Sequence, residues 1–168
     1  KLLLAPETIH PPRLVPGPAR RADRRLVAAV EGHEHPPGVE ARSDQAPGER
    51  WVHWLVWNLP PDTTSLAERM ATTTEVASLG PTTRQGVNDE KTIGYAGPCP
   101  LPVTVAYAAV KEVKVVFEYL FHVYALDTEL DLAGGATKGE LLQAIDNHIL
   151  SAGVIKGESV AARQLMEF

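Results

Sequence analysis

The chain has 168 residues, 44% of them hydrophobic and 22% charged, with a formal net charge of −5 and six histidines. That length suits one domain with a real core, and charge and apolar content near globular averages exclude a wholly disordered chain. No apolar run approaches the ~20 residues needed to span a bilayer, and the single Cys99 excludes an internal disulfide framework and a cysteine-based zinc cage.

Residues 1–168 read as a single domain, although the first fifty are the least legible. The apolar start at Leu2 to Ala5 is too short for a signal-peptide core. A cytoplasmic location is therefore expected, with a periplasmic or secreted one left open should a leader have been cleaved. Residues 1–50 carry eight Lys/Arg against seven Asp/Glu, so the acidity belongs to the remainder. The only basic patch, Arg20 to Arg25, is interrupted by Asp23. Nucleic-acid binding needs a broad basic face, so that class of partner is not expected.

Proline and glycine punctuate the chain, fourteen and thirteen of them, which predicts strands and turns rather than a helix bundle. Residues 26–30 predict a short strand. His33-Glu34-His35 would place two imidazoles on one face of a strand. The spacing supplies no third ligand and prolines follow, so no metal is expected. Residues 51–58, W-V-H-W-L-V-W-N, predict the clearest strand. Trp51, His53, Leu55 and Trp57 fall on one face, and Val52, Trp54 and Val56 on the other. Both faces are apolar, so the strand should lie buried on both sides. Pro60 and Pro61 end it, because proline cannot donate to the ladder.

Gly94-Tyr95-Ala96-Gly97-Pro98-Cys99-Pro100 reads as a rigid turn. Such a turn can present bare N–H groups to an anion, or be an ordinary loop. Residues 103–107 and 113–126 predict two strands, joined as a hairpin near 108–111. In the second, Phe117, Tyr119, Phe121 and Val123 share one face, and Glu118, Leu120, His122 and Tyr124 the other. Thr137-Lys138-Gly139-Glu140 is a capping box, and Leu141, Leu142, Ile145 and Ile149 continue at helical spacing to about Leu150. Gly153 would stop this helix, 154–155 would form a short last strand, and 159–168 a terminal helix or frayed tail.

Two chemical readings of His53 stand side by side. It is a donor at the floor of an aromatic pocket, or a hydrogen-bonded core histidine. Paired with Cys99 it could also serve a covalent mechanism, but nothing local lowers the thiol pKa and no G-x-S-x-G elbow is present.

Taken together, four ordered phrases resemble the phosphatidylethanolamine-binding protein family, closest to its bacterial and archaeal Raf kinase inhibitor-like branch. Residues 51–61 are similar to the histidine-bearing strand. Residues 84–89 with Ile93-Gly94-Tyr95 and Gly97-Pro98-Cys99-Pro100 resemble the "GxND…GYxGPCPP" stretch. Residues 121–127 resemble the following strand and 136–142 the late helix. The resemblance covers roughly residues 51–157.

It implies a mainly β fold, a two-sheet antiparallel sandwich with peripheral helices, one near 138–150. It also implies a small pocket for phosphate, phosphoethanolamine-like head groups or acetate, with no cofactor. Residue by residue, His53 matches the pocket histidine, Gly97, Pro98 and Cys99 the rim turn, and Tyr119 the tyrosine of an "HRY" triplet. That triplet reads Phe117-Glu118-Tyr119 here, so one pocket histidine is lost. The family's "DPDAP" segment finds only Ser43-Asp44-Gln45-Ala46-Pro47. An alternative register places Glu34 opposite its second aspartate, through residues 31–36. Asp44 and Glu34 both stay open as the pocket acid. Residues 100–116 are longer than the usual loop.

The expected function is non-enzymatic binding of a small anion, more weakly than the family norm, because a charge-assisted donor is missing. The family is known for inhibiting kinases and proteases and for pairing as homodimers, so such partners are implied. The alternatives are a hydrolase using His53 and Cys99, and an interaction domain with a vestigial pocket.

Overall fold

A computed structural model describes residues 25–32, 50–97 and 112–164. These contain strands β1 (Arg25–Gly32), β2 (Trp51–Leu59), β3 (Arg84–Gln85), β4 (Glu112–Leu126) and β5 (Ile149–Gln164), with helix α1 (Lys138–Ile145) before the last strand. The strands form one antiparallel sheet in the order β3-β2-β1-β4-β5. The second sheet that the resemblance implies is not among the described residues. The 103–107 strand and its hairpin also lie outside them.

β2 is buried at all nine positions, as its two apolar faces require. Its alternation is nevertheless broken twice. Val30 pairs with Trp54 but Glu31 pairs with Val52, so His53 is an extra residue; a second shift falls between Leu26 and Ala28. Both are bulges. Val52 thus joins Leu55 and Trp57 on one face, while Leu59 joins Trp54 and Val56 on the other. Near the second bulge Asn58 takes a left-handed φ of 58°, a conformation asparagine tolerates better than most residues. Its buried amide donates to the Leu130 carbonyl at 2.9 Å and accepts from the Leu130 N–H at 2.9 Å.

Each face of the sheet has its own cover. On one side Val27, Leu55, Trp57, Tyr124 and Leu126 pack with Leu130 and with Leu141 and Ile145 of α1. On the other, Val30, Trp54, Val56 and Leu59 pack against Leu66, Met70 and Leu79 of the connection after β2.

The capping box forms as read. The Thr137 hydroxyl accepts from the Glu140 N–H, and Glu140 Oε2 accepts from the Thr137 N–H at 2.7 Å. The helix stops at Ile145 rather than near Leu150. Asn147 turns the chain with a φ of 63°, and the His148 N–H closes on the Ile145 carbonyl at 3.0 Å. Gly153 is no helix stop. It pairs with Val123 inside β5, and residues 154–155 belong to the same sixteen-residue strand. That strand runs through 159–164, where a terminal helix or frayed tail was expected.

Candidate functional site

The bulge in β2 delivers His53 to the sheet face that carries Gly32 and Tyr119. Gly32 pairs with Tyr119 in β4 and with Trp51 in β2. The His53 and Tyr119 rings meet edge to face, 5.2 Å apart at 61°. Both are buried.

Main chain holds the imidazole. The Ala96 carbonyl accepts from His53 Nδ1 at 2.9 Å, and the Ala96 N–H donates to the His53 carbonyl at 2.9 Å. This fixes the tautomer and leaves Nε2 directed towards Gly32 and Tyr119. The partner of Nδ1 is thus a backbone carbonyl. Gly97 follows Ala96 directly and is exposed, so the start of the rim turn is tethered to His53. Pro98, Cys99, Asp44 and Glu34 lie outside the described residues, as does His33-Glu34-His35. Among the described residues no group of three His, Cys, Asp or Glu side chains is placed to hold a metal.

The segment after β3 builds the wall beside His53. The Gly86 N–H donates to the Leu55 carbonyl at 3.0 Å, and a Cβ on Gly86 would come within 2.6 Å of the Ala136 carbonyl oxygen. Asp89 clasps β2 from both sides, donating its N–H to the Val52 carbonyl at 3.0 Å and accepting from the Val52 N–H at 2.7 Å. The buried Gln85 accepts from Trp54 Nε1 at 2.6 Å and donates to the carbonyls of Ala71 and Thr73, both at 2.8 Å. Tyr95 meets the Trp54 ring edge-on at 6.3 Å. Phe117, buried, lies two residues before Tyr119 on the same face of β4, where the resemblance implies a histidine.

Sequence reading missed the polar cluster on the opposite, helix-side face. Glu31 is fully buried, and burial pushes its carboxyl up to about 8, against the smaller opposing pull of Lys138 and Arg50. Lys138 Nζ stands 3.8 Å from its Oε1. His122 and Tyr124 stack on that face, with the phenol oxygen 3.4 Å from His122 Nδ1. The signal was present in the sequence as an acid at the end of an apolar strand run and a histidine between aromatic residues.

Glu31 makes stability depend on pH. Unfolded, it ionises near 4.5; folded, it keeps its proton to about 8. Over that window the folded state binds the extra proton, so stability falls as pH rises from about 4.5 to about 8 and levels off above. Glu31→Gln is expected to flatten this slope and to leave the variant more stable than the wild type at pH 9. Urea unfolding across pH checks this, and an unchanged slope would refute the assignment.

A family model described as phosphatidylethanolamine-binding protein matches residues 37–160. A UPF0098 protein of Methanothermobacter thermautotrophicus is 38% identical over 112 residues, 67% of this chain and 64% of that relative's length. A UPF0098 protein of Chlamydia trachomatis is 34% identical over 137 residues, 82% of this chain and 73% of the relative. Among solved structures, a phosphatidylethanolamine-binding protein homologue from Chlamydia trachomatis superposes with a TM-score of 0.59 at 33% identity, covering 85% of this chain and 76% of that one. Escherichia coli YbcL, described as a member of the mammalian family, superposes at 0.54 with 23% identity over 83% and 73% of the two chains, a likeness of fold alone.

Proposed function

The chain belongs to the phosphatidylethanolamine-binding protein family, and on that premise we propose that it is a non-enzymatic module that binds small oxyanions, such as phosphate or a phosphorylated head group, beside His53 and Tyr119. The observation that carries this reading is the buried edge-to-face pair of His53 and Tyr119, with the imidazole fixed through Nδ1 by the Ala96 carbonyl. An imidazole already oriented by the main chain loses little freedom on binding, and its Nε2 is placed to accept from a protonated oxygen of the ligand. Gly97 and, on the strength of the resemblance, Pro98 and Cys99 supply the rim. A two-sheet sandwich, a homodimer, a cytoplasmic site of action and a regulatory partner such as a kinase or protease belong to the same reading. No helix among the described residues is long and apolar enough to cross a membrane.

Phe117 sets the strength of the site. Where the family pattern has a second imidazole, an apolar ring replaces a charge-assisted donor, each worth about 1.5–3 kcal/mol. The wild type is therefore expected to bind phosphate and phosphoethanolamine more weakly than micromolar. His53→Ala should abolish binding at this pocket, read by loss of the shift at the Tyr119 ring resonances, and Phe117→His should tighten it by about tenfold or more. Calorimetric titration of the three proteins, each first checked for a native near-UV spectrum, decides the matter. Submicromolar binding that survives His53→Ala would overturn the proposal. Phe117 also favours the second reading, an interaction domain with a vestigial pocket. Failure of the wild type and of Phe117→His alike to bind either probe would select it.

A further inference from the structure

Three residues leave buried polar atoms without a hydrogen-bond partner on the helix-side face of the sheet. They are both carboxyl oxygens of Glu31 in β1, Nη1 of Arg50 just before β2, and Nε2 of His122 in β4. Their residues are 0%, 9% and 2% exposed. Buried polar atoms are almost always paired, because an orphan has given up its hydration with nothing in return. Several orphans converging from separate strands call for a guest.

These groups lie near one another on that face. Glu31 pairs with Leu120 and Ala29 pairs with His122, so Glu31 and His122 are diagonal neighbours on one face. Lys138, the first residue of α1, sets its ammonium 3.8 Å from Glu31 Oε1. The charges of Lys138 and Arg50 are both felt at Glu31 and at His122, and that of Glu31 at Tyr124. Arg50 spends Nη2 on Glu118 at 3.1 Å, and Lys156 pairs with the other oxygen of Glu118. The Glu118 side chain, 32% exposed, marks where the cluster reaches solvent. Tyr119, His53 and Gly32 lie on the other side of the same strands.

We propose that Glu31, Arg50, His122 and Lys138 form a second binding site, separate from the His53 pocket, that takes a small oxyanion such as a carboxylate or inorganic phosphate. The donor count favours this charge. Burial, then the cations of Arg50 and Lys138, lowers the His122 pKa, so its ring is neutral. The Tyr124 phenol, held protonated mainly by burial, lies 3.4 Å from Nδ1, and a proton donated there would leave the single imidazole proton on Nε2. Arg50 Nη1 and the Lys138 ammonium are donors in any state. A protonated Glu31 adds one more and leaves Lys138 uncompensated. An oxyanion supplies the missing acceptor and balances the charge. The charged and titratable groups facing Glu31 are Lys138 from α1, Arg50, Asp89 from the segment after β3, and His122 and Tyr124 from β4. Ionisation of Glu31 at high pH would neutralise Lys138 and expel the anion.

The test uses acetate and inorganic phosphate as probes, read by the imidazole ¹⁵N resonances of His122. In His53→Ala protein one equivalent of either probe is expected to shift the Nε2 signal. Lys138→Gln should weaken that binding at least tenfold, and Lys138→Arg should restore most of it. Affinity should fall about tenfold between pH 7 and pH 9 when Glu31 is present and stay level in Glu31→Gln. No His122 response to either probe, which would mean ordered water only, overturns the proposal. So does a response that Lys138→Gln leaves intact.

Discussion

Trp57→Ala is expected to destabilise the protein by about 3–5 kcal/mol, the range for truncating a buried tryptophan. Trp57 is 0% exposed and stands in the cluster that joins β2 to Leu130, Leu141 and Ile145. Its indole N–H donates to the Leu132 carbonyl at 3.2 Å. The truncation therefore removes packing on both sides of the β2–helix seam and orphans a carbonyl. Against a total stability of roughly 5–15 kcal/mol this is a large share, and the midpoint of thermal unfolding should fall by roughly 10 °C or more. Trp57→Phe keeps most of the volume and should cost much less. Urea unfolding separates the two, with the midpoint moving and the slope unchanged. A loss under about 1 kcal/mol for the alanine variant would mean that this cluster does not hold the helix to the sheet.

Gly32→Ala should cost about 1–3 kcal/mol, although it adds one methyl group. Replacing glycine by alanine elsewhere commonly stabilises a protein, by restricting the unfolded chain. Here the sign reverses. The new Cβ would clash with Tyr119 Cδ1, lie 2.5 Å from its Cε1, and sit 3.1 Å from His53 Nε2. The phenol ring must swing away from a buried position, and the edge-to-face contact with His53 goes with it. Loss of stability and an at least tenfold loss of phosphate binding at the His53 pocket should therefore appear together, followed by unfolding and by titration of the His53 ring resonances. An alanine variant as stable as the wild type, with unchanged binding, would show that Tyr119 has room to move without consequence.

Gly32 has a second lesson. Asp44 and Glu34, the two candidate acids, lie outside the described residues. The sheet register brings Gly32 to the place between Tyr119 and His53 where a β1 side chain would enter the site. A glycine in a loop-like string carries no periodic signal, so only strand pairing reveals what it faces. The central part of β2 was legible because residues 54–57 alternate faces as a regular strand should. Its ends were not, since a bulge inserts one residue and reverses the face of all that follow. The start of α1 was legible from Thr137 and Glu140, whose side chains act within one turn. Its end was misplaced because Ile149 continues the helical spacing by coincidence, whereas Asn147 had already taken the chain into a turn. Glu31 and His122 escaped notice for a related reason. Each sits in an apolar run, and their proximity depends on pairing across strands distant in the chain.

β5 closes the sheet on one side, and no strand among the described residues lies beyond it. Its sixteen residues include no proline, and Ile155 is 71% exposed next to an exposed Val154. Over residues 149–158 only Lys156 and Glu158 carry charge. A long rim of amides with no further strand on it among the described residues is a template for accretion of further chains, and gatekeeper charges are what deter it. The shelf life of concentrated solutions thus hangs on the few charges of this strand, Lys156, Glu158 and Arg163, and strong salt, which masks their fields, is the storage condition this molecule should tolerate least.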